Sequence, residues 1–155
     1  MAGRIDAKLA ALGITLPTPA TPVANYVPFV RTGDLVVISG QLPMQDGKLA
    51  LTGKVGEAVS VEQAVAGARL AAINLFAQLK AACGGDLDRV QQVVRLGGFI
   101  ASPASFTQHA TVMNGASDLA VAVFGDAGRH ARSTIGVPSL PLDAAVEVEG
   151  MFRIA

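Results

Sequence analysis

One arginine and two carboxylates near the end of the chain stand out as residues that could do chemistry. Arg132 lies in the stretch ARSTIGVPSLPLDAAVEVE, before a Leu-Pro turn, and Glu147 and Glu149 follow on alternate residues of a predicted strand. A guanidinium can hold a carboxylate by two parallel hydrogen bonds, and a glutamate can accept and return a proton. The alternative is structural: Arg132 could pair with Glu147 or Glu149 across an interface, and acidic residues on a strand usually lie in water.

The size and cysteine content of the chain predict one domain that folds without a metal or a disulfide. Its 155 residues are near the usual length of one domain. Cys83 is the single cysteine, and neither His109 nor His130 stands in a zinc-ligand spacing with it. The first residues lack the apolar run of a signal peptide, and no later stretch is long and apolar enough for a membrane span. We therefore expect a soluble, cytoplasmic protein with no membrane association.

The charge content of the chain disfavours nucleic acid as a partner and favours another copy of the chain. The 12 basic and 12 acidic side chains give a net charge of zero, with no basic run that would neutralise a phosphate backbone, so nucleic-acid binding is not expected. Charged residues make up 15% of the chain, against about 25% in an average soluble domain. Apolar residues reach 51%. This balance suggests that another subunit covers part of the surface, and it predicts a homo-oligomer.

Hydrophobic periodicity predicts one sheet with two helices on a single face. An N-terminal helical arm (residues 1–24) precedes the core (25–155). The predicted core elements are strands at Tyr26–Val30 and Leu35–Ser39, a helix at Val61–Cys83, a strand at Val90–Ala101, a helical region from about Ser105 that is interrupted at Asn114-Gly115, and strands at Arg132–Ile135 and Ala145–Ile154. The face of the last strand that carries Glu147 and Glu149 must then be wet or packed against another subunit.

Several polar residues have two interpretations. Ser39 and Gly40 at a strand end could contact a ligand, or could simply end the strand. Asn74 in the long helix is interpreted as an amide that satisfies a neighbouring loop, and Cys83 as a small buried residue. Asn114 is interpreted as the cap of the helical segment Ala116–Phe124, with ligand binding as the alternative.

The order and spacing of several short motifs resemble the RidA/YjgF family of reactive-intermediate deaminases, also known as endoribonuclease L-PSP. The resemblance extends from Tyr26 onward. Its elements are Tyr26 thirteen residues before Ser39-Gly40-Gln41-Leu42-Pro43, the Asn74 helix ending in Gly84-Gly85, Ala131-Arg132-Ser133, Leu140-Pro141 and Val146-Glu147-Val148-Glu149. The stretches Asn114-Gly115-Ala116-Ser117-Asp118 and Gly128-Arg129-His130-Ala131-Arg132 resemble a longer-chain branch with an N-terminal arm.

The resemblance implies an α+β, chorismate mutase-like fold that assembles as a homotrimer, with three sheets forming an inner barrel and clefts between subunits. It implies hydrolysis of reactive enamine or imine acids, of the 2-aminoacrylate and 2-iminopropionate kind, to 2-keto acids and ammonium, without a cofactor or a metal. Arg132 would bind the substrate carboxylate and Glu147 would handle the water proton. The cleft would be lined by Tyr26, Ser39, Gly40 and Asn114, with Tyr26 or Asn114 supplied by a neighbouring chain.

The chain departs from well-known family members at Thr134, where they carry a cysteine. A threonine hydroxyl can still hold a water, so Thr134 remains a candidate catalytic residue. Two rival functions stay open. One is a non-catalytic binder of small carboxylates that uses the Arg132 cleft, and the other is an RNA-cleaving or translation-inhibiting protein.

Overall fold

The chain forms one main sheet with helices packed on it. The computed structural model describes residues 2–19, 21 and 24–155. In chain order the elements are α1 (Arg4–Ala11), β1 (Phe29–Thr32), β2 (Leu35–Gln41), β3 (Met44–Gln45), β4 (Lys48–Leu49), α2 (Val61–Ala82), β5 (Val90–Ala101), α3 (His109–Phe124), β6 (Ala131–Val137) and β7 (Val146–Ile154). Within the described residues, no helix combines the length and the apolar character that crossing a membrane requires.

The main sheet has the strand order β1-β2-β7-β5-β6. β5 and β6 are parallel, and the other neighbours are antiparallel. Alternation along each strand places one set of side chains against the helices, and on β7 this set includes the buried residues Val146, Val148 and Phe152. No helix of the described residues covers the opposite face, which leaves Val30, Val37 and Ile135 exposed. The predicted α+β class with one helix-covered face is confirmed.

The long helix α2 begins and ends close to the predicted positions. The Gln63 backbone amide donates to Ser60 Oγ and the Ser60 backbone amide donates to Gln63 Oε1, which together form a capping box. Asn74 donates from Nδ2 to the carbonyl oxygens of Leu42 and Met44, both at 3.0 Å. Its predicted structural role is thereby confirmed, and it fixes the loop that follows β2.

The prediction that Asn114-Gly115 interrupts the second helical region is wrong. α3 runs unbroken from His109 to Phe124, so Asn114 lies inside the helix and does not cap it. A Cβ at position 115 would collide with the backbone carbonyl of Val65, so glycine is what allows α3 to lie against α2. An Asn-Gly pair favours turns locally, but close helix packing decides the conformation here.

Smaller differences concern strand ends. β1 begins at Phe29 rather than Tyr26, and β6 extends to Val137. Gly97 and Gly98 do not interrupt β5, whose register shifts lie between Val90 and Arg95. Both glycines are instead points of close approach, since a Cβ on either would lie under 3 Å from a side chain of a neighbouring element.

The N-terminal helix α1 is attached to the end of the core. Ile5 and Leu9 are buried, and the backbone amides of Arg4 and Ile5 each donate to the Asp88 carboxylate at 2.8 Å. These two hydrogen bonds lower the pKa of Asp88. The proline-rich stretch that follows α1 is described in part, and the predicted break at Pro22 lies outside the described residues.

Candidate functional site

Arg132 lies on the edge strand β6, with its guanidinium turned towards α3. Its Nη1 donates to Asn114 Oδ1 at 2.8 Å and to Ser117 Oγ at 3.1 Å, and Nη2 donates to the Ala110 carbonyl at 3.3 Å. All three acceptors are neutral, and no carboxylate of the described residues pairs with this half-buried cation. A guanidinium has five N–H donors, of which these bonds use three. Two donors, the Nε–H among them, remain for a ligand.

Asn114 therefore holds the arginine of its own chain. The hydrogen bond between the two side chains gives the amide of Asn114 a role in positioning the guanidinium. A neighbouring chain is not required to supply Asn114.

Ser117 and His130 extend this arrangement, and the sequence did not identify either as a site residue. His130 Nδ1 lies 2.6 Å from the Gly128 carbonyl, which can only accept, so Nδ1 carries the proton. In the neutral ring Nε2 is then an acceptor, and it lies 2.9 Å from Ser117 Oγ. The Ser117 hydroxyl donates to His130 and accepts from Arg132. Both residues belong to the two motifs that resemble the longer-chain branch.

Thr134 follows Arg132 by two residues and so points to the same side of β6. Its Oγ1 is buried and has no hydrogen-bond partner in the described part of the chain. A buried hydroxyl without a partner is unfavourable, and this one lies on the same face of β6 as Arg132. Thr134 is thus available for a water or for a substrate atom.

Glu147 and Glu149 both lie on the uncovered face of β7 but differ in their partners. Glu149 pairs with Arg95 on β5, with Oε1 3.3 Å from Nη1. Glu147 makes no ion pair with any described residue. Burial raises the pKa of the Glu147 carboxyl above its ordinary value, and the negative charge of Glu149 raises it further. A carboxyl group that holds its proton more readily than usual suits acid–base chemistry.

Gly40 provides the space that Glu147 occupies. A Cβ at position 40 would overlap Oε1 of Glu147 and lie 2.8 Å from its carboxyl carbon. Glycine at this strand end therefore lets the carboxylate lie across β2, which favours a positioning role over simple termination of the strand.

Strand register places Arg132 and Glu147 on opposite faces of the sheet in one chain. Leu96 of β5 pairs with Arg132 of β6 and Gly150 of β7, whereas Phe99 pairs with Ile135 and Glu147. Paired residues point to the same face, and successive residues alternate between faces. Leu96 and Phe99 are three residues apart, so the arginine faces the helices and the glutamate faces the uncovered side. The two predicted catalytic groups do not meet within a chain.

Tyr26 and Ser39 lie near the other edge of the sheet. The Ser39 hydroxyl donates to the Val27 carbonyl at 2.8 Å, and its backbone amide donates to the Pro28 carbonyl at 2.9 Å. These bonds hold the segment that carries Tyr26, whose side chain is 56% exposed. The structure thus groups Tyr26 with Ser39, Gly40 with Glu147, and Arg132 with Asn114 and Thr134.

Comparison with known proteins places the chain in a family. Residues 6–152 match the model of the family described as "YjgF/chorismate mutase-like, putative endoribonuclease". The chain belongs to this family. Protein TCP17 of Trypanosoma cruzi is 46% identical over 153 residues, which cover 98% of this chain and 95% of that protein. The predicted YjgF membership and the chorismate mutase-like fold are confirmed.

Two solved structures extend the YjgF relationship over nearly the whole chain. The protein Atu1372 of Agrobacterium tumefaciens, of unknown function, is 47% identical with a TM-score of 0.92, and the match covers 97% of this chain and 92% of that one. A protein of Shewanella oneidensis described as "a putative endoribonuclease" is 37% identical with a TM-score of 0.94, over 98% of this chain and 100% of its own.

Proposed function

We propose that this YjgF family member hydrolyses reactive enamine or imine acids, of the 2-aminoacrylate and 2-iminopropionate kind, to 2-keto acids and ammonium. The observation that carries the proposal is the state of Arg132: a half-buried guanidinium, held by three neutral acceptors, with two N–H donors unused. A charged group in this position is stabilised most by an anion that accepts two parallel hydrogen bonds, and a carboxylate does so.

The reaction needs a proton acceptor and a place for the attacking water. Water adds to the carbon of the C=N bond as Glu147 takes one of its protons, and the resulting aminoalcohol collapses to the keto acid as the nitrogen leaves with a proton. The raised pKa of Glu147 favours the return of that proton. Thr134, with its buried and unpartnered hydroxyl, is proposed to hydrogen-bond the water or the substrate nitrogen.

A complete site needs a second copy of the chain, because Arg132 and Glu147 face opposite sides of the sheet. The uncovered face supports this assembly, since it exposes Val30, Val37 and Ile135 to solvent in a single chain. We propose the homotrimer that the family resemblance implies. Each cleft would then combine Arg132, Asn114 and Thr134 of one protomer with Glu147, Gly40 and Tyr26 of another.

Release of ammonium from imino acids generated in place by an amino acid oxidase tests the proposal. Arg132→Lys keeps the charge but loses the bidentate geometry, and we expect about a 10- to 100-fold fall in kcat/KM. Glu147→Gln should lower kcat by about 10²-fold or more. Arg129→Lys is the matched control for the arginine change and should stay close to wild type. A wild-type rate equal to the protein-free rate across several imino acids would refute the proposal.

The family description names a second candidate activity, RNA cleavage. The net charge of zero and the lack of a basic run disfavour it. Binding of a single-stranded RNA measured over a range of salt concentrations separates the two, because phosphate contacts give an affinity that falls steeply with salt. RNA turnover that Arg132→Lys abolishes, without ammonium release from imino acids, would replace the deaminase with a nuclease.

A further inference from the structure

A cavity of about 440 Å³ lies beyond Arg132, at the end of β6 where α3 begins. Its walls include Lys54, Ser102, Phe106 and His109, and Gly136 forms part of its floor. Gly136 follows Arg132 by four residues, so both face the helix side of β6. The volume is within the range of small-molecule pockets, about 300–1,000 Å³.

Two polar groups converge on the floor of this cavity. A Cβ at position 136 would lie 2.5 Å from His109 Nε2 and 3.0 Å from Ser102 Oγ, so the missing side chain lets both groups lie against the Gly136 backbone, where all three residues line the cavity. His109 packs edge-on against Phe106, with ring centroids 5.1 Å apart, and its ring nitrogens have no hydrogen-bond partner among the described residues. The Ser102 hydroxyl makes one long bond, 3.3 Å, to the Ile100 carbonyl. That length is beyond the usual range for a hydroxyl donor, so the group can turn towards a ligand.

Lys54 gives the cavity a positive charge. Its loop is fixed on both sides, by hydrogen bonds from Val55 N to the Ala101 carbonyl at 2.8 Å and from Gly53 N to the Asp143 carbonyl at 2.9 Å. The Lys54 side chain makes no ion pair within the part of the chain that the structure describes, and no carboxylate is among the residues that line the cavity. An unneutralised cation beside two hydrogen-bonding groups suits an oxyanion.

The cavity and the Arg132 site are neighbours on α3. Arg132 Nη2 donates to the carbonyl of Ala110, and Ala110 directly follows His109, which lines the cavity. We propose that the Lys54–Ser102–His109 cavity binds a second carboxylate of the substrate, which makes the preferred substrates 2-imino acids with an acidic side chain. The two fixed cations then match the two negative charges of a dicarboxylate. This inference rests on the proposed function, because it takes Arg132 as the site of the first carboxylate.

Binding of two keto acids with the same carbon chain tests the inference. 2-Oxoglutarate and 2-oxopentanoate both have five carbons and an α-keto acid head, but only 2-oxoglutarate has the distal carboxylate. Isothermal titration of the wild-type oligomer should give tighter binding of 2-oxoglutarate. Lys54→Met should raise the Kd for 2-oxoglutarate by about tenfold or more, because a hydrogen bond to a charged group is lost. The Kd for 2-oxopentanoate should stay unchanged. Lys54→Arg keeps the charge and should keep the preference.

A second variant guards against an indirect effect of the lysine change. Gly136→Ala puts a methyl group against His109 Nε2 and should also weaken the binding of 2-oxoglutarate but not of 2-oxopentanoate. A thermal unfolding curve checks that this variant is folded. Arg132→Lys should weaken the binding of both keto acids. The second-carboxylate site is wrong if Lys54→Met changes the affinity for both ligands equally, or changes neither. The proposed function still stands in that case, provided that Arg132→Lys weakens the binding of 2-oxopentanoate. If neither keto acid binds wild type, both proposals fail.

Discussion

Mixing two inactive variants tests whether one site takes its arginine and its glutamate from different chains. Register places Arg132 and Glu147 on opposite faces of the sheet, so each protomer would contribute to two different clefts. In a random 1:1 mixture, a site is intact when its arginine comes from a Glu147→Gln chain and its glutamate from an Arg132→Lys chain. Each condition holds with probability one half, so about a quarter of the sites in a cyclic oligomer should regain wild-type activity.

The assay needs real exchange of subunits. The two variants are co-expressed with different affinity tags, or are unfolded together and refolded, and native mass spectrometry then confirms mixed oligomers. Ammonium release is measured for each variant alone, for the mixed oligomers, and for the two variants combined without exchange. The unexchanged mixture should stay at the level of the single variants, because every site in it carries one substitution.

Two results would refute the reasoning. Mixed oligomers with no more activity than the single variants would mean that both residues act in the same chain, which the strand register does not allow, or that one of them has no part in the reaction. Full activity in Glu147→Gln alone would remove the glutamate from the mechanism. Recovery near one quarter, in contrast, has no explanation in a site confined to one chain.

Three further outcomes follow from the same contacts. Burial raises the pKa of Glu147, so the folded protein loses stability as the pH rises through that raised pKa and the carboxyl group ionises. The glutamine of the variant cannot ionise, so the Tm of Glu147→Gln minus the Tm of wild type should be larger at pH 8 than at pH 4. Gly40→Ala should displace the Glu147 carboxylate and lower kcat, but should have no further effect in a Glu147→Ala background. Ser117→Ala removes a hydrogen bond of about 1 kcal/mol from Arg132 and should raise Kd for a 2-keto acid about fivefold, whereas Ser117→Thr keeps the hydroxyl.

Much of the fold follows from local pattern. The extent of α2, the alternation of β7 and the order of the elements all depend on neighbours within a few residues, and each was predicted. The predicted break at Asn114-Gly115 is absent. Glycine stands at position 115 because the helix packs closely on the backbone of Val65, fifty positions away in the chain. Local propensity has no information about such a contact.

The site was predicted less completely, for the same physical reason. Residue types identified Arg132 and Glu147 as the groups able to do chemistry. The face of the sheet on which each side chain lies, however, depends on how β6 and β7 each pair with β5. A shift of one residue in either pairing would reverse a side chain from one face to the other, and sequence alternation on a short edge strand does not fix that register. Ser117 and His130 were missed because their hydrogen bond joins a helix to the turn before β6.

Separation of the two groups has a consequence for how the proposed site works. A direct ion pair between Arg132 and Glu147 would occupy the free donors of the guanidinium and would lower the pKa of the glutamate. The sheet keeps them apart: neutral acceptors hold the arginine, and Arg95 takes Glu149 and leaves Glu147 unpaired. In the proposed assembly the substrate lies between the two groups, because its carboxylate occupies the cation and its C=N carbon faces the carboxylate of the other chain.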